Sequence, residues 1–422
     1  MSYPSATIPS MTSVGEHLPP TTTPRRLPPF LHTRLGGLPR AFWALWAGSF
    51  VNRLGTMVEP FLAFYLTGVR GFSVTATGAV LALFGLGSVF SQTLGGVLAD
   101  RVGRRATLSG GMLATAAAML ALGYVTATPV VVAVVFVLGV AIDIYRPASQ
   151  ALVADLVSPA DRPRAYGLLF WAINLGFAVA MVFGGTLSRA GFSWLFWIDA
   201  VTCAVFAVLV WRAVPETRTR RADREPGGFA DVLRDRVAVA SVLIVFGYAF
   251  VYLQAYSTLP LAMRHAGLPP QAYGLAMAVN GVGIVIVQPL TVAWLNRRDA
   301  SRVLAAGMGV VGLGFGLTAL AGSTPVFAAT VLVWTLGEVL FAAVSSAIIA
   351  DLAPPHLRGR YGGLYGTAFS VAALLGPLGG SWLLGHGAWL PWVTCAALCA
   401  ASGAGALALG PAVRGRRKGL TV

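Results

Sequence analysis

Five ionisable residues stand in apolar runs where charge is expensive: Arg53, Glu59, Asp143, Arg146 and Glu338. A charged side chain at the bilayer centre costs about 2.5–3.5 kcal/mol on insertion scales, so each must be explained. Asp143 and Arg146 are three residues apart and share a helix face, and Gln150 extends that stripe by one turn. They form either an internal ion pair that lowers the cost of insertion or an element that handles a proton or a substrate. Glu338 has no acid or base within reach on its own helix. It reads as a carboxyl that binds and releases a proton near neutral pH, or as a neutral acid bonded to a neighbouring helix. Glu59 is seven residues from Asn52, which on a continuous helix puts the two on one face. It is either a second protonatable site or an acid solvated near the outer interface. Arg53 lies roughly 120° around an ideal helix from Glu59 and need not pair with it. Asp199, in "FWIDAVT", reads as an acid that bonds a neighbouring helix.

The segments that must position these groups are long and apolar. Of 422 residues, 56% are hydrophobic and 11% charged, and the mean hydropathy is +0.75. That leaves too little polar surface for a water-soluble chain of this size. Twelve apolar runs follow one another at 40–68, 74–99, 104–126, 129–154, 165–189, 192–213, 238–263, 271–295, 301–321, 325–351, 359–385 and 388–410. Each reaches the ~18–20 residues that carry a helix across a hydrocarbon core. They are too long and too uniformly apolar for barrel strands. The 50 glycines suit close helix approach in a membrane. The expectation is an all-α membrane protein with twelve transmembrane helices.

The net charge of +15 raises nucleic acid as a partner, but the positions of the charges argue against it. With the N-terminus inside, all but five of the 30 Lys and Arg fall in cytoplasmic segments. Arg70, Arg189 and Arg264 lie outside, and Arg53 and Arg146 lie within spans. This asymmetry is the positive-inside rule; it predicts a multi-pass protein of the inner membrane with both termini cytoplasmic. Cys203, Cys395 and Cys399 have no metal or CxxC spacing and read as core residues. No metal or cofactor is expected. Residues 1–28 are rich in Pro, Thr and Ser, with no basic start before an apolar core, which predicts a disordered tail and not a secretory signal.

A displacement of 196 residues, the separation of Asp155 and Asp351, overlays the chain on itself. "ALVADLVSPADRPRAYGLL" falls on "AIIADLAPPHLRGRYGGLY", aligning Arg162 with Arg358 and Arg164 with Arg360. Each copy holds six spans. Six is even, so the two bundles have the same orientation, as parallel repeats. The boundaries that follow are a cytoplasmic tail at 1–39, a six-helix bundle at 40–213, a linker at 214–237, a second bundle at 238–410 and a basic tail at 411–422. In the linker, "FADVLRDR" could form a short helix on the cytoplasmic surface. Asp155, Arg164, Asp351 and Arg360 are read as gate-packing residues, with Asp155 meeting Arg162 or Arg164 and Asp351 meeting Arg358 or Arg360.

Between the second and third spans stands "GGVLADRVGRR". The arginines obey the positive-inside rule, but Asp100 does not follow from it. An acid there can accept hydrogen bonds from a helix N-terminus or an arginine, stabilising one packing of the two halves. Gly103 supplies a tight reversal. With Gly96, Asp100, Arg101, Gly103, Arg104 and Arg105 in place, this loop resembles the signature loop of the major facilitator superfamily, G-x-x-x-D-R-x-G-R-R/K. The resemblance covers essentially the whole chain and implies that fold. It also implies that Asp100 engages the start of the eleventh span, near Arg358 to Gly363, when the protein faces outward. In the second half Asn296-Arg297-Arg298 replaces the motif, so only the first half carries the full latch. The first span from Phe50 to Tyr65 and the fourth from Tyr145 to Asp155 also resemble bacterial drug:proton antiporters. There, an Arg in the fourth span is associated with proton coupling, and Arg146 matches it. The antiporter signature of the fifth span is incomplete, with Ala180-Met181 in place of Gly-Pro; the eleventh keeps Gly376-Pro377 and Gly379-Gly380.

For a ligand cavity the candidates are Asn52, Arg53, Gln150, Trp171, Asn174, Tyr248, Tyr252, Gln254 and Asn280, polar or aromatic residues in the spans that would surround it. The proton candidates are Glu59, Asp143, Arg146 and Glu338. The function expected is secondary transport by alternating access: proton-coupled efflux of a small lipophilic or amphiphilic compound, working as a monomer in the bilayer. The alternatives are uptake by symport or facilitation, and a non-transporting sensor or scaffold. No P-loop, H-E-x-x-H or G-x-S-x-G occurs, so an enzyme is not expected.

Overall fold

The computed structural model describes residues 37–158, 161–216, 229–295, 298–353 and 358–419. The predicted tail 1–36, most of the linker and Asn296-Arg297 lie outside these, as do the side chains of Asp351 and Arg358.

Among the described residues the chain is helical throughout, without strands. The first span is two helices, α1 (Arg40–Gly55) and α2 (Val58–Gly68). α3 (Val74–Arg101) and α4 (Arg104–Tyr124) are the second and third spans. The fourth is again two pieces, α5 (Thr128–Ile142) and α6 (Tyr145–Leu156), followed by α7 (Arg162–Leu187) and α8 (Phe192–Ala213). A six-residue helix, α9 (Phe229–Arg234), stands in the linker where a short helix was expected. The seventh span divides into α10 (Arg236–Leu253) and α11 (Thr258–His265). α12 (Pro270–Leu295), α13 (Ala300–Leu317), α14 (Thr324–Leu352), α15 (Arg358–His386) and α16 (Leu390–Gly419) complete the set. Eleven of the twelve expected spans are long and apolar enough to cross a bilayer; the first is divided into pieces of 16 and 11 residues.

Among the described residues two long interfaces join the halves, α3 against α15 and α7 against α12, and α2 also meets α11. Glycines show how each is built. Gly78, Gly85 and Gly96 lie on one face of α3 by helical spacing. A Cβ at Gly78 would meet the Pro377 carbonyl at 2.8 Å, and one at Gly85 would strike the Ala373 backbone. Gly96, nearer the end where the arginines cluster, has nothing within 4 Å, and neither do Gly362 and Gly366 on the opposing helix. The second interface repeats the pattern: a Cβ at Gly281 would lie 2.9 Å from the Asn174 carbonyl, whereas Gly167 has no neighbour. The halves are therefore in backbone contact at one end and splay apart toward the basic end.

The last helix continues past 410, where a tail was expected, to Gly419. Two of its arginines are tied down. Arg414 pairs with Asp299, the N-cap of α13, at 3.0 Å, and Arg416 pairs with Asp235, the N-cap of α10. Tyr361 also donates to Asp235, at 2.7 Å. Burial alone would raise the Asp235 carboxyl; the hydrogen bonds from Arg416 and Tyr361 outweigh it and hold the group at about 2.

Candidate substrate cavity

Three of the twelve spans are interrupted at mid-depth, and each interruption frees polar groups that a continuous helix would bury. In the first, Thr56 donates to the Asn52 carbonyl at 3.0 Å, closing the end of α1. In the fourth, the chain turns at Asp143 and Ile144. In the seventh it turns over 254–257, where Gln254 donates to the Gly376 carbonyl at 3.2 Å and accepts from Thr258 at 2.5 Å. The first and fourth interruptions and the Tyr252–Ser257 stretch of the seventh border a cavity of about 720 Å³ between the halves.

One wall is ionic and comes from the first half. Arg146 Nε lies 2.5 Å from Asp143 Oδ1. Ser88 donates to the other Asp143 oxygen at 2.7 Å, and the Asp143 amide donates to Ser91 at 3.1 Å. Arg53 donates to the Tyr145 hydroxyl at 2.7 Å. Glu59 stands in the first turn of α2, facing the same space. The opposite wall carries one acid, Glu338, with Asn280 donating to it at 2.7 Å and to Thr335 at 3.0 Å. Tyr252 and Tyr256 lie nearby, their hydroxyls 3.1 Å apart, and Phe369 completes an aromatic rim.

All four proton candidates line this cavity, with Asn52, Arg53, Gln150, Asn174, Tyr252 and Asn280. Three predicted cavity residues do not. Tyr248 is buried behind the wall, stacked on Phe341. Gln254 is spent on the turn of its own span. Trp171 is 41% exposed on the outer face, one residue beyond the cavity-lining Phe170. Asn52 and Glu59 do not share one continuous helix, because the chain breaks between them, yet both reach the cavity. Glu59 consequently stands beside the ionic wall and not at an outer interface.

The loop motif is built as a capping structure. Gly103 adopts φ +116°, which suits glycine alone. The first amides of α4 meet Glu216, whose oxygens accept from Arg105 N at 3.0 Å and Ala106 N at 3.1 Å. Arg105 stacks over Trp211 at 4.5 Å. Arg104 pairs with Asp155, so that acid's partner is the loop motif and not Arg162 or Arg164. Arg162 instead donates to the Ala154 carbonyl at 2.6 Å, satisfying the end of α6, and Arg164 pairs with Asp161 at 3.6 Å. Asp100 is exposed at the splayed end, near Arg101. Arg360 sits in the first turn of α15; its expected partner's side chain, that of Asp351, is among those not described.

The sequence profile of the Major Facilitator Superfamily matches residues 45–269 and 244–421. The chain belongs to this superfamily. The uncharacterized MFS-type transporter YttB of Bacillus subtilis (strain 168) is 28% identical over 358 residues, covering 83% of this chain and 89% of the relative. The multidrug resistance protein MdtH of Aeromonas salmonicida (strain A449) is 25% identical over 360 residues, covering 83% and 90%. Among solved structures, the POT family transporter PepTSo superposes with a TM-score of 0.76 at 15% identity, covering 90% of this chain and 99% of that one. The human organic anion transporter MFSD10 (TETRAN) superposes at 0.65 with 18% identity, covering 87% and 99%. At that identity the likeness is one of fold.

As a major facilitator the chain is a multi-pass membrane transporter of a small molecule, and the space between its halves is where that fold holds a substrate. The residues that sequence reasoning missed are small and polar: Ser49, Ser88 and Ser149 in the wall, with Tyr145 and Tyr166 beside them. Ser88 and Ser91, three apart in an apolar run, carried the readable signal.

Proposed function

We propose that the protein exports a small lipophilic or amphiphilic compound across the plasma membrane in exchange for protons. The observation that carries this is the composition of the cavity: three carboxyls, two of them beside arginines, in a chamber that combines aromatic and aliphatic side chains with neutral polar groups such as Asn52, Gln150, Asn174 and Asn280. Such a chamber suits a largely apolar ligand fixed by a few polar contacts. Its acids suit proton uptake, with protonation biasing the balance between two packings through differential affinity. The name of the MdtH relatives favours efflux. In this reading both termini are cytoplasmic, as the positive-inside rule favours, and opening at the basic end then corresponds to the cytoplasm-facing form. In the opposite form the splayed faces of α3 and α15 close, and Asp100 latches onto the start of α15. The unit of transport in this reading is the monomer, which is supported by both walls coming from one chain.

The test is reconstitution in vesicles with an imposed proton gradient and ethidium as the probe. Gradient-driven dye movement, with protons moving in the opposite direction when dye is added, is the expected result. Protons moving in the same direction as the dye would replace export with symport, and dye movement indifferent to the gradient would remove the coupling.

A further inference from the structure

The transport reading leaves one buried acid unused. Asp199 lies on α8, 2% exposed, at the depth where the first span is interrupted. The interruption creates a need. The first amides of any helix lack an internal acceptor. At the start of α2, Pro60 has no N–H, which removes one of them. Met57 holds the N-cap and offers no capping oxygen. Asp199 Oδ2 fills that place from another helix, accepting from Val58 N at 3.3 Å. A carboxylate there does the work of an N-cap and faces the positive end of the helix dipole. Its second oxygen accepts from Cys203 Sγ at 3.7 Å, and that sulfur accepts from Asn52 Nδ2 at 3.2 Å. One chain of contacts thus grips the span after the break, at Val58, and before it, at Asn52. The grip is rigid because α8 is pressed onto α1: a Cβ at Gly55 would lie inside the Thr202 side chain, and one at Gly48 would lie inside Phe206.

The internal repeat supplies the control. The displacement of 196 that pairs Asp155 with Asp351 sets Asp199 on Cys395 and Val58 on Gln254. The second half also interrupts its span there, but with the longer turn over 254–257, held by Gln254. A buried acid is therefore not required to break a span. It accompanies the short break, which sets Arg53 and Glu59 on either side against the cavity. Asp199 itself does not line the cavity. A void of about 20 Å³, room for one water, separates it from the wall of Arg53, Glu59, Asp143 and Arg146.

The geometry points to Asp199 as a positioning residue: its carboxylate holds the break in the first span and so aims Arg53 and Glu59 at the substrate. This rests on the cavity being the transport site, and one arm of the test does not. Asp199→Asn keeps an acceptor for Val58 but cannot ionise; Asp199→Leu keeps the bulk and removes the acceptor. In ligand-free protein in detergent, hydrogen exchange of the 57–62 segment should rise by about tenfold in D199L and stay within about threefold of wild type in D199N. In vesicles with ethidium, D199L should raise KM by about tenfold with kcat little changed, whereas D199N should restore KM and keep the wild-type pH profile. Unchanged exchange in D199L overturns the proposal. So does a displaced pH profile in D199N, which would make the acid a proton carrier; this arm decides alone if D199L does not fold. Should wild-type protein leave ethidium untouched, the exclusion concerns the dye as substrate, and the exchange arm still decides the role of Asp199.

Discussion

Asn280 on α12 donates to Glu338 on α14 at 2.7 Å, inside the cavity and away from the ionic wall of the other half. Gln at 338 retains an oxygen to accept from Asn280 but carries no exchangeable carboxyl proton. E338Q should therefore lose roughly 100-fold in proton-driven ethidium transport while its dye affinity stays within about threefold. Transport at the wild-type rate would move the proton to another acid, with Glu59 the next to test.

Asp143 is held by Arg146, Ser88 and Ser91, so removing the arginine strands a largely buried acid. The Arg146 side chain is 47% exposed to the cavity, which weakens the pair relative to a fully buried one. R146M should lower stability by roughly 1–2 kcal/mol, and adding D143N should recover part of that loss. Thermal unfolding of the four proteins of the cycle measures the coupling. Strict additivity would mean that the pair contributes nothing.

Backbone contact at Gly85 makes that position the most sensitive of the closed end. G85V should drive the halves apart there, increasing the distance between spin labels at Val69 and His265. The same change at Gly96, which faces open space here, should leave that distance unaltered and hinder closure at the basic end. Equal distances in G85V and wild type would show that α3 and α15 slide without penalty.

Asp235 gives a pH dependence with a definite sign. Its folded-state value of about 2 lies below the ordinary 3.8, so its contribution is complete above that ordinary value and disappears as pH falls through 2. R416A should lower the unfolding temperature at pH 7 and lessen the further loss between pH 4 and 2. An acid-unfolding curve identical to wild type would place the anchor elsewhere.

Much of this architecture is legible from composition alone. A polar residue in an apolar run is conspicuous, which is why Asn52, Arg53, Glu59, Asp143, Arg146, Asn280 and Glu338 can be named before any coordinates, and all border the cavity. What hydropathy does not encode is the interruption of a span. "NRLGTMVEP" reads as continuous helix, and only the capping acid 141 residues away in sequence makes the break at Thr56 intelligible. Partner choice among charges was equally hidden. Asp155 lies close in sequence to Arg162 and Arg164, but α4 brings Arg104 alongside it while Arg162 closes the end of α6. Tyr248 illustrates a third limit: helical spacing groups it with Tyr252 and Tyr256, and only packing against Phe341 turns it inward.

The repeat breaks the first and seventh spans alike but not the fourth and tenth, and it is unfaithful in charge. Carried across by the same displacement, Arg53, Glu59, Asp143 and Arg146 become Ala249, Ala255, Val339 and Ala342. The two lobes are thus no longer interchangeable parts. A chimera that joins the front lobe of this chain to the rear lobe of a relative would keep the ionic wiring of Arg53, Glu59, Asp143 and Arg146 but lose the lone acid, Glu338, and the aromatic upholstery around it. Exchanging lobes in both directions would tell how far the machine answers to its front wiring and how far to that one rear acid.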